Sequence, residues 1–76
     1  MTQQEFLAKF ALQFEETDPS TITLDTKFRE TNEWSSMMVL MIIAMVDEEM
    51  GVTLTGDEIK KADTVLEIYE IVSSKK

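Results

Sequence analysis

Two adjacent serines, Ser35 and Ser36, stand directly before ten consecutive apolar residues, 37–46. Such a run predicts a helix, and a helix begins with unpaired backbone N–H groups and about half a positive charge. A hydroxyl in the first turn could therefore carry a phosphodiester, which the helix end would stabilise by roughly 0.3–1 kcal/mol. The alternative is that Ser35 only caps the helix, which contributes about 1 kcal/mol, while Ser36 has no role.

Histidine and cysteine are both absent from the chain, which excludes several kinds of site. A nucleophile activated by histidine and a thiol nucleophile are both impossible. Zinc would lack its usual nitrogen and sulfur ligands. No stretch has the acid spacing and central glycine of an EF-hand calcium loop. With only two glycines there is also no glycine-rich phosphate loop. We therefore expect a protein that performs no catalysis itself.

Acidic residues dominate the charge: fifteen Asp and Glu against seven Lys and Arg give a net charge of −8. No Lys or Arg occurs between Glu30 and Ile59. This balance argues against a nucleic-acid partner, because the phosphates would be repelled. It favours partners with basic patches, which a one-signed field steers into contact. The alternative is an acidic surface that only aids solubility.

The length of 76 residues predicts one domain, residues 1–76. The apolar run of ten residues is far shorter than the roughly 20 needed to span a bilayer. The amino terminus shows neither the basic start nor the apolar core of a secretory signal. We therefore expect a soluble, cytoplasmic monomer. The clean helix signals near both ends favour a free-standing unit.

Four helix-start signals predict an all-α fold. Three have the spacing of a capping box, in which Thr and Glu stand three residues apart, and the fourth is the serine pair. Residues 17–34 form a long first loop, which we expect its apolar side chains to pin over the core. The helices are predicted to run from Thr2 to about Glu16, from the serines to Met50 before Gly51, from Thr55 to about Lys61, and from Thr64 to the basic tail.

The second helix is apolar for most of its length, so its orientation has to be inferred from spacing. We predict a core-facing stripe made of Met37, Leu40, Ile43, Val46 and Met50. Met38 and Met41 would then face solvent or a partner, where the flexible methionine side chain suits adaptable contacts. The alternative is that Met38 and Met41 pack under the long loop.

The order and spacing of these signals resemble the acyl carrier protein family. The stretches that carry the resemblance are WSSMMVLMIIAMVDEEMGVTLTGDEI and KKADTVLEIYEIV. In that family an Asp-Ser-Leu motif leads an apolar helix that ends in acids and often a glycine, and a Thr-Val pair opens the last helix. The resemblance covers almost the whole chain. It implies an acyl-carrier-protein-like bundle of three long helices and one short helix, with a long first loop.

The resemblance assigns the motif serine to Ser36, since the acids, Gly51 and Thr64 then fall at family spacing. In the family this serine is esterified by 4′-phosphopantetheine from coenzyme A, whose thiol carries acyl groups as thioesters. Ser35 stands in the place of the motif aspartate and Met37 in that of the leucine. The resemblance therefore implies that Ser36 holds the arm, while Ser35 flanks it and caps the helix.

The resemblance also implies partners, namely a phosphopantetheinyl transferase and the acyl-loading and acyl-extending synthase enzymes of fatty acid or polyketide-type biosynthesis. Aminoacyl and D-alanyl carriers share this body plan, so the cargo stays open. A rival interpretation is an interaction module of the same fold without a prosthetic group, which the altered serine motif favours. The face expected to meet basic patches of the partners consists of Glu33, Met37, Met38, Met41, Asp47 and Glu48.

Overall fold

Capping residues set the start of every helix in the computed structural model, which describes residues 1–76. Each of the three predicted capping boxes is present, and the Ser35 hydroxyl caps the remaining helix. Three helices of 9 to 15 residues and one of six confirm the predicted all-α bundle. The helices are α1 (Gln3–Ala11), α2 (Ser36–Met50), α3 (Gly56–Lys61) and α4 (Val65–Ser74).

The four helices pack around a single apolar core. Helices α1 and α3 each pack against both α2 and α4. All 17 buried residues are apolar and belong to one cluster, to which every helix and the first loop contribute. Because no polar side chain is buried, burial of apolar surface is the main force that holds α2 in place.

The long first loop is pinned to this core, as its apolar residues predicted. It contains two short 3-10 turns, Pro19–Thr21 and Phe28–Glu30. Ile22 and Phe28 are buried. The Arg29 guanidinium donates to the carbonyl oxygen of Ile59 at 2.9 Å, which fastens the loop to the end of α3. These contacts hold the middle of the loop against the core and against α3.

Helix α1 ends at Ala11, so the prediction that it runs to about Glu16 was wrong. The N–H groups of Gln13 and Phe14 bond to carbonyls three residues back, in a turn tighter than an α-helix. The next three N–H groups, those of residues 15–17, donate to the carboxylate of Glu33 and leave no donor to continue the helix. The apolar spacing suggested a longer helix because Phe14 still reaches the core from the turn.

The orientation of α2 also differs from the prediction. Met37 and Leu40 are 64% and 62% exposed, whereas Met38 is only 4% exposed. The residues of α2 that are buried are Met38, Ile42, Met45 and Val46. The predicted stripe was wrong at Met37 and Leu40, whereas Val46 is buried as predicted, and Ile43 and Met50 are partly buried against the core. Residues 37–46 are apolar all round, so spacing alone supports two opposite faces. Packing against α1 and α3 selects between those faces.

Candidate functional site

The start of α2 presents a serine to solvent. Ser36 is the first residue of the helix and its side chain is exposed. The preceding residue, Ser35, has an extended backbone, and its Oγ accepts a hydrogen bond from the N–H of Met38 at 3.3 Å. The N–H groups of Ser36 and Met37 precede the first intrahelical bond and have no acceptor in the protein. The predicted placement of both serines is therefore confirmed.

The electrostatics of this helix end favour a negative group. The first turn of α2 contains no acidic residue, whereas α1, α3 and α4 each have glutamate there. Two free N–H groups and the positive end of the helix dipole lie beside Ser36. An anion attached to the Ser36 oxygen would therefore meet hydrogen-bond donors and no carboxylate within that turn.

Glu33, which was expected to contact partners, lies three residues before Ser36 and accepts hydrogen bonds from its own chain. Its carboxylate accepts hydrogen bonds from the N–H groups of Glu15, Glu16 and Thr17 at 2.6, 3.1 and 3.0 Å. The Thr17 hydroxyl donates to it as well, at 2.9 Å. Desolvation acts to raise the pKa of Glu33, but these four hydrogen bonds outweigh it and the pKa is lowered. The negatively charged carboxylate of Glu33 therefore binds backbone and side-chain donors of its own chain.

The outer surface of α2 carries a stripe that we call the docking face, formed by Met37, Leu40, Ala44, Asp47 and Glu48. All five are exposed. Asp47 and Glu48 form no ion pair, whereas the neighbouring Glu49 pairs with Lys9 of α1 at 3.4 Å. Sequence reasoning missed Leu40. Its spacing of three from Met37 and seven from Asp47, which matches one helix face, could have shown it.

Two methionines that were assigned to the docking face lie elsewhere. Met38 is part of the core, so the expectation that it faces solvent was wrong. Met41 is half-buried and packs against the core. It lines a cleft of about 340 Å³ together with Ser35, Gln13 and Glu33. Of the three methionines, Met37 is the only one that is exposed.

Sequence comparison places the chain among known proteins. It is similar to the proteins named acyl carrier protein in two strains of Treponema pallidum, the Nichols strain and a strain of the subspecies pallidum. With each of them it is 33% identical over 60 residues, which cover 79% of this chain and 77% of the relative. The chain belongs to the acyl carrier protein family. No protein-family model matches it.

Membership in the acyl carrier protein family confirms the resemblance seen in the sequence and implies a phosphopantetheine group. The surroundings of Ser36 fit a group linked through phosphate, because the exposed hydroxyl adjoins two free N–H donors and no acid of the same turn. Ser36 would hold the phosphodiester, and Ser35 would keep the first turn in shape. None of the helices is long and apolar enough to cross a membrane.

Proposed function

We propose that this member of the acyl carrier protein family presents acyl groups as thioesters on a 4′-phosphopantetheine arm attached to Ser36, in fatty acid or polyketide-type biosynthesis. When bound, the arm supplies the thiol that holds the cargo. The observation that supports the proposal best is the exposed Ser36 hydroxyl at the first residue of α2, beside two unpaired N–H groups. The chain itself performs no chemistry on the cargo.

The other residues of the site support presentation rather than reaction. Ser35 caps α2 and keeps Ser36 at its first turn. The exposed methionine and leucine of the docking face offer apolar contact, and Asp47 and Glu48 offer negative charge to basic partner enzymes. The chain contains neither cysteine nor histidine. It therefore has no thiol or imidazole that could attack a tethered thioester.

Intact mass tests the attachment directly. The chain is coexpressed with a broad-specificity phosphopantetheinyl transferase, and we expect a mass increase of one phosphopantetheine. The variant Ser36→Ala should show no increase. The matched control is Ser35→Asn, which keeps an N-cap of similar strength and should still be modified. Modification of Ser36→Ala, or loss of modification in Ser35→Asn alone, would contradict the assignment of the arm to Ser36.

The same measurement separates the rival function, an interaction module of the same fold without a prosthetic group. The exposure of Met37 and Leu40 favours that rival, since an apolar stripe rimmed by acids can bind a protein directly. A wild-type chain that stays unmodified beside an active transferase would support the interaction module. A modified chain supports the carrier.

The role of the docking face is tested by reversing its charge. In the double variant Asp47→Lys with Glu48→Lys, we expect the second-order rate constant for modification to fall about tenfold at low salt. The loss should shrink as salt is added, because screening weakens the attraction in the wild type. The matched control is the double variant Glu16→Lys with Glu70→Lys, which makes the same change in net charge at two exposed acids outside α2. Equal losses in both variants would show an effect of net charge alone.

A further inference from the structure

We propose that Glu33 is a positioning residue for the modification of Ser36. Its carboxylate fastens the turn after α1 to the residues that lead into α2, so that the Ser36 hydroxyl is presented in one arrangement. This inference rests on the proposed function of Ser36 as the attachment site. It assigns Glu33 a role inside the chain in place of contact with a partner enzyme.

The geometry of the fastening is dense for a single side chain. One carboxylate oxygen accepts from the N–H of Glu15 at 2.6 Å. The other accepts from the N–H groups of Glu16 and Thr17 and from the Thr17 hydroxyl, at 2.9 to 3.1 Å. Hydrogen bonds to an ionised acceptor are among the stronger kinds in proteins. Two segments 16 to 18 residues apart in sequence are joined in this way.

The next residue, Trp34, adds an apolar contact to the same junction. Its ring centroid lies 4.7 Å from that of Phe28 and 6.3 Å from that of Phe14, with which it stacks. Phe14 immediately precedes the three residues whose N–H groups bind Glu33. Polar and aromatic contacts therefore fix two consecutive residues, and only Ser35 separates them from Ser36. A change at Glu33 is transmitted directly to the start of α2.

Loss of the carboxylate would leave the turn after α1 without its acceptor. The N–H groups of residues 15–17 make no hydrogen bond other than those to Glu33. They would turn to water, and the turn and the residues before α2 would populate more than one arrangement. An enzyme that binds only the ordered arrangement then meets a smaller competent fraction. Its apparent affinity falls by that fraction, while the reaction in the bound complex is unchanged.

The test is modification of the apo chain by coenzyme A and a broad-specificity phosphopantetheinyl transferase, followed by intact mass over time. For Glu33→Gln we expect the KM for the chain to rise about fivefold with kcat unchanged. Amide hydrogen exchange at residues 15–17 should accelerate about tenfold in the same variant. Glu30→Gln is the matched control. It removes one negative charge from an exposed residue of the same loop and should alter neither quantity.

A second variant keeps the test decisive if Glu33→Gln does not fold. Thr17→Val removes only the hydroxyl bond at 2.9 Å and preserves the side-chain volume, so we expect a KM increase of about twofold. Faster exchange in either variant with the KM of the wild type would overturn the positioning role and leave the proposed function intact. A wild-type chain that takes up no phosphopantetheine would overturn the proposed function, and this inference with it.

Discussion

The start of α2 differs from the starts of the other three helices. Each of those three is closed by a threonine and a glutamate that bond to each other's backbone N–H groups, and α2 has only the Ser35 hydroxyl. The third residue of α2 is Met38, where the other helices have glutamate. The reciprocal pairs are Thr2 with Glu5, Thr55 with Glu58, and Thr64 with Glu67.

This difference shows that packing can stabilise the start of a helix while its positive charge is left without a compensating carboxylate. In α1, α3 and α4 a carboxylate neutralises the positive end of the helix and satisfies an N–H group. In α2 the same position points into the core, so a carboxylate cannot occupy it. The positive end of α2 therefore has no carboxylate of its own, and the N–H groups of Ser36 and Met37 have no acceptor in the protein. The exposed Ser36 lies at that point.

The largest expected effect comes from imposing a capping glutamate on α2. Met38→Glu would place a charge at a position that is 4% exposed, and we expect the free energy of unfolding to fall by at least about 3 kcal/mol. Met37→Glu, at a position 64% exposed, should change it by less than about 1 kcal/mol. Urea unfolding of both variants measures the difference. The opposite order would favour the orientation of α2 that spacing alone predicted.

Local signals in the sequence predicted the helix starts and the position of Ser36. A cap depends on residues within one turn, so the threonine–glutamate pairs and Ser35 could be read directly. Gly51 likewise marked the end of α2, where the backbone φ is +65°. The resemblance to acyl carrier proteins then distinguished Ser36 from Ser35 as the attachment residue. That distinction remains a proposal until modification is measured.

Two features could not be predicted, the end of α1 and the orientation of α2, because both depend on contacts between residues distant in sequence. The end of α1 depends on the carboxylate of Glu33, which comes from 16 to 18 residues further along the chain. The acceptor binds backbone N–H groups, which every residue type except proline offers, so no sequence pattern marks the contact. The orientation of α2 depends on its neighbours because its apolar run has no distinct polar face. Met38 and Leu40 were misplaced for that reason.

The next largest effect is the difference in stability between a complete capping box and the single cap of α2. Thr64→Ala removes the hydroxyl that accepts from the N–H of Glu67 at 3.3 Å, and it loosens the pair, so we expect a loss of about 1–2 kcal/mol in the free energy of unfolding. Ser35→Ala removes one bond only, and a loss of about 0.5–1 kcal/mol should follow. Urea unfolding measures both. Equal losses in the two variants would mean that the reciprocal bond of the glutamate adds nothing to the free energy of unfolding.

Acid should weaken the three boxed helix starts by protonating their capping glutamates, whereas the Ser35 cap of α2 has no carboxylate to protonate. Backbone hydrogen bonds from Asp63 and Thr64 are the main cause of the lowered pKa of Glu67, whose ordinary value is 4.5. A folded pKa below the unfolded one stabilises the fold above about pH 4.5, and this stabilisation is lost as the pH falls through the folded value. We therefore expect the free energy of unfolding to decline below that pH.

The variant Glu67→Gln assigns part of this decline to a single helix start. Because it has no carboxylate to protonate at that position, its stability should fall less steeply with acid than that of the wild type. Urea unfolding at several pH values between the ordinary pKa of 4.5 and strongly acidic solution gives both slopes. Parallel curves would contradict a contribution from Glu67.

The smallest effect concerns the open end of α2 itself. Asp and Asn cap helices about equally, so Ser35→Asp and Ser35→Asn differ mainly by one negative charge at the positive end of the helix. We expect the Asp variant of the unmodified chain to be more stable than the Asn variant by about 0.3–1 kcal/mol. After phosphopantetheine is attached to Ser36, this difference should shrink, because the phosphodiester would already occupy the same field and would repel the carboxylate. Thermal unfolding of both variants, with and without the arm, measures it. An advantage that stays the same in the modified chain would mean that the arm's phosphate does not use the open end of α2.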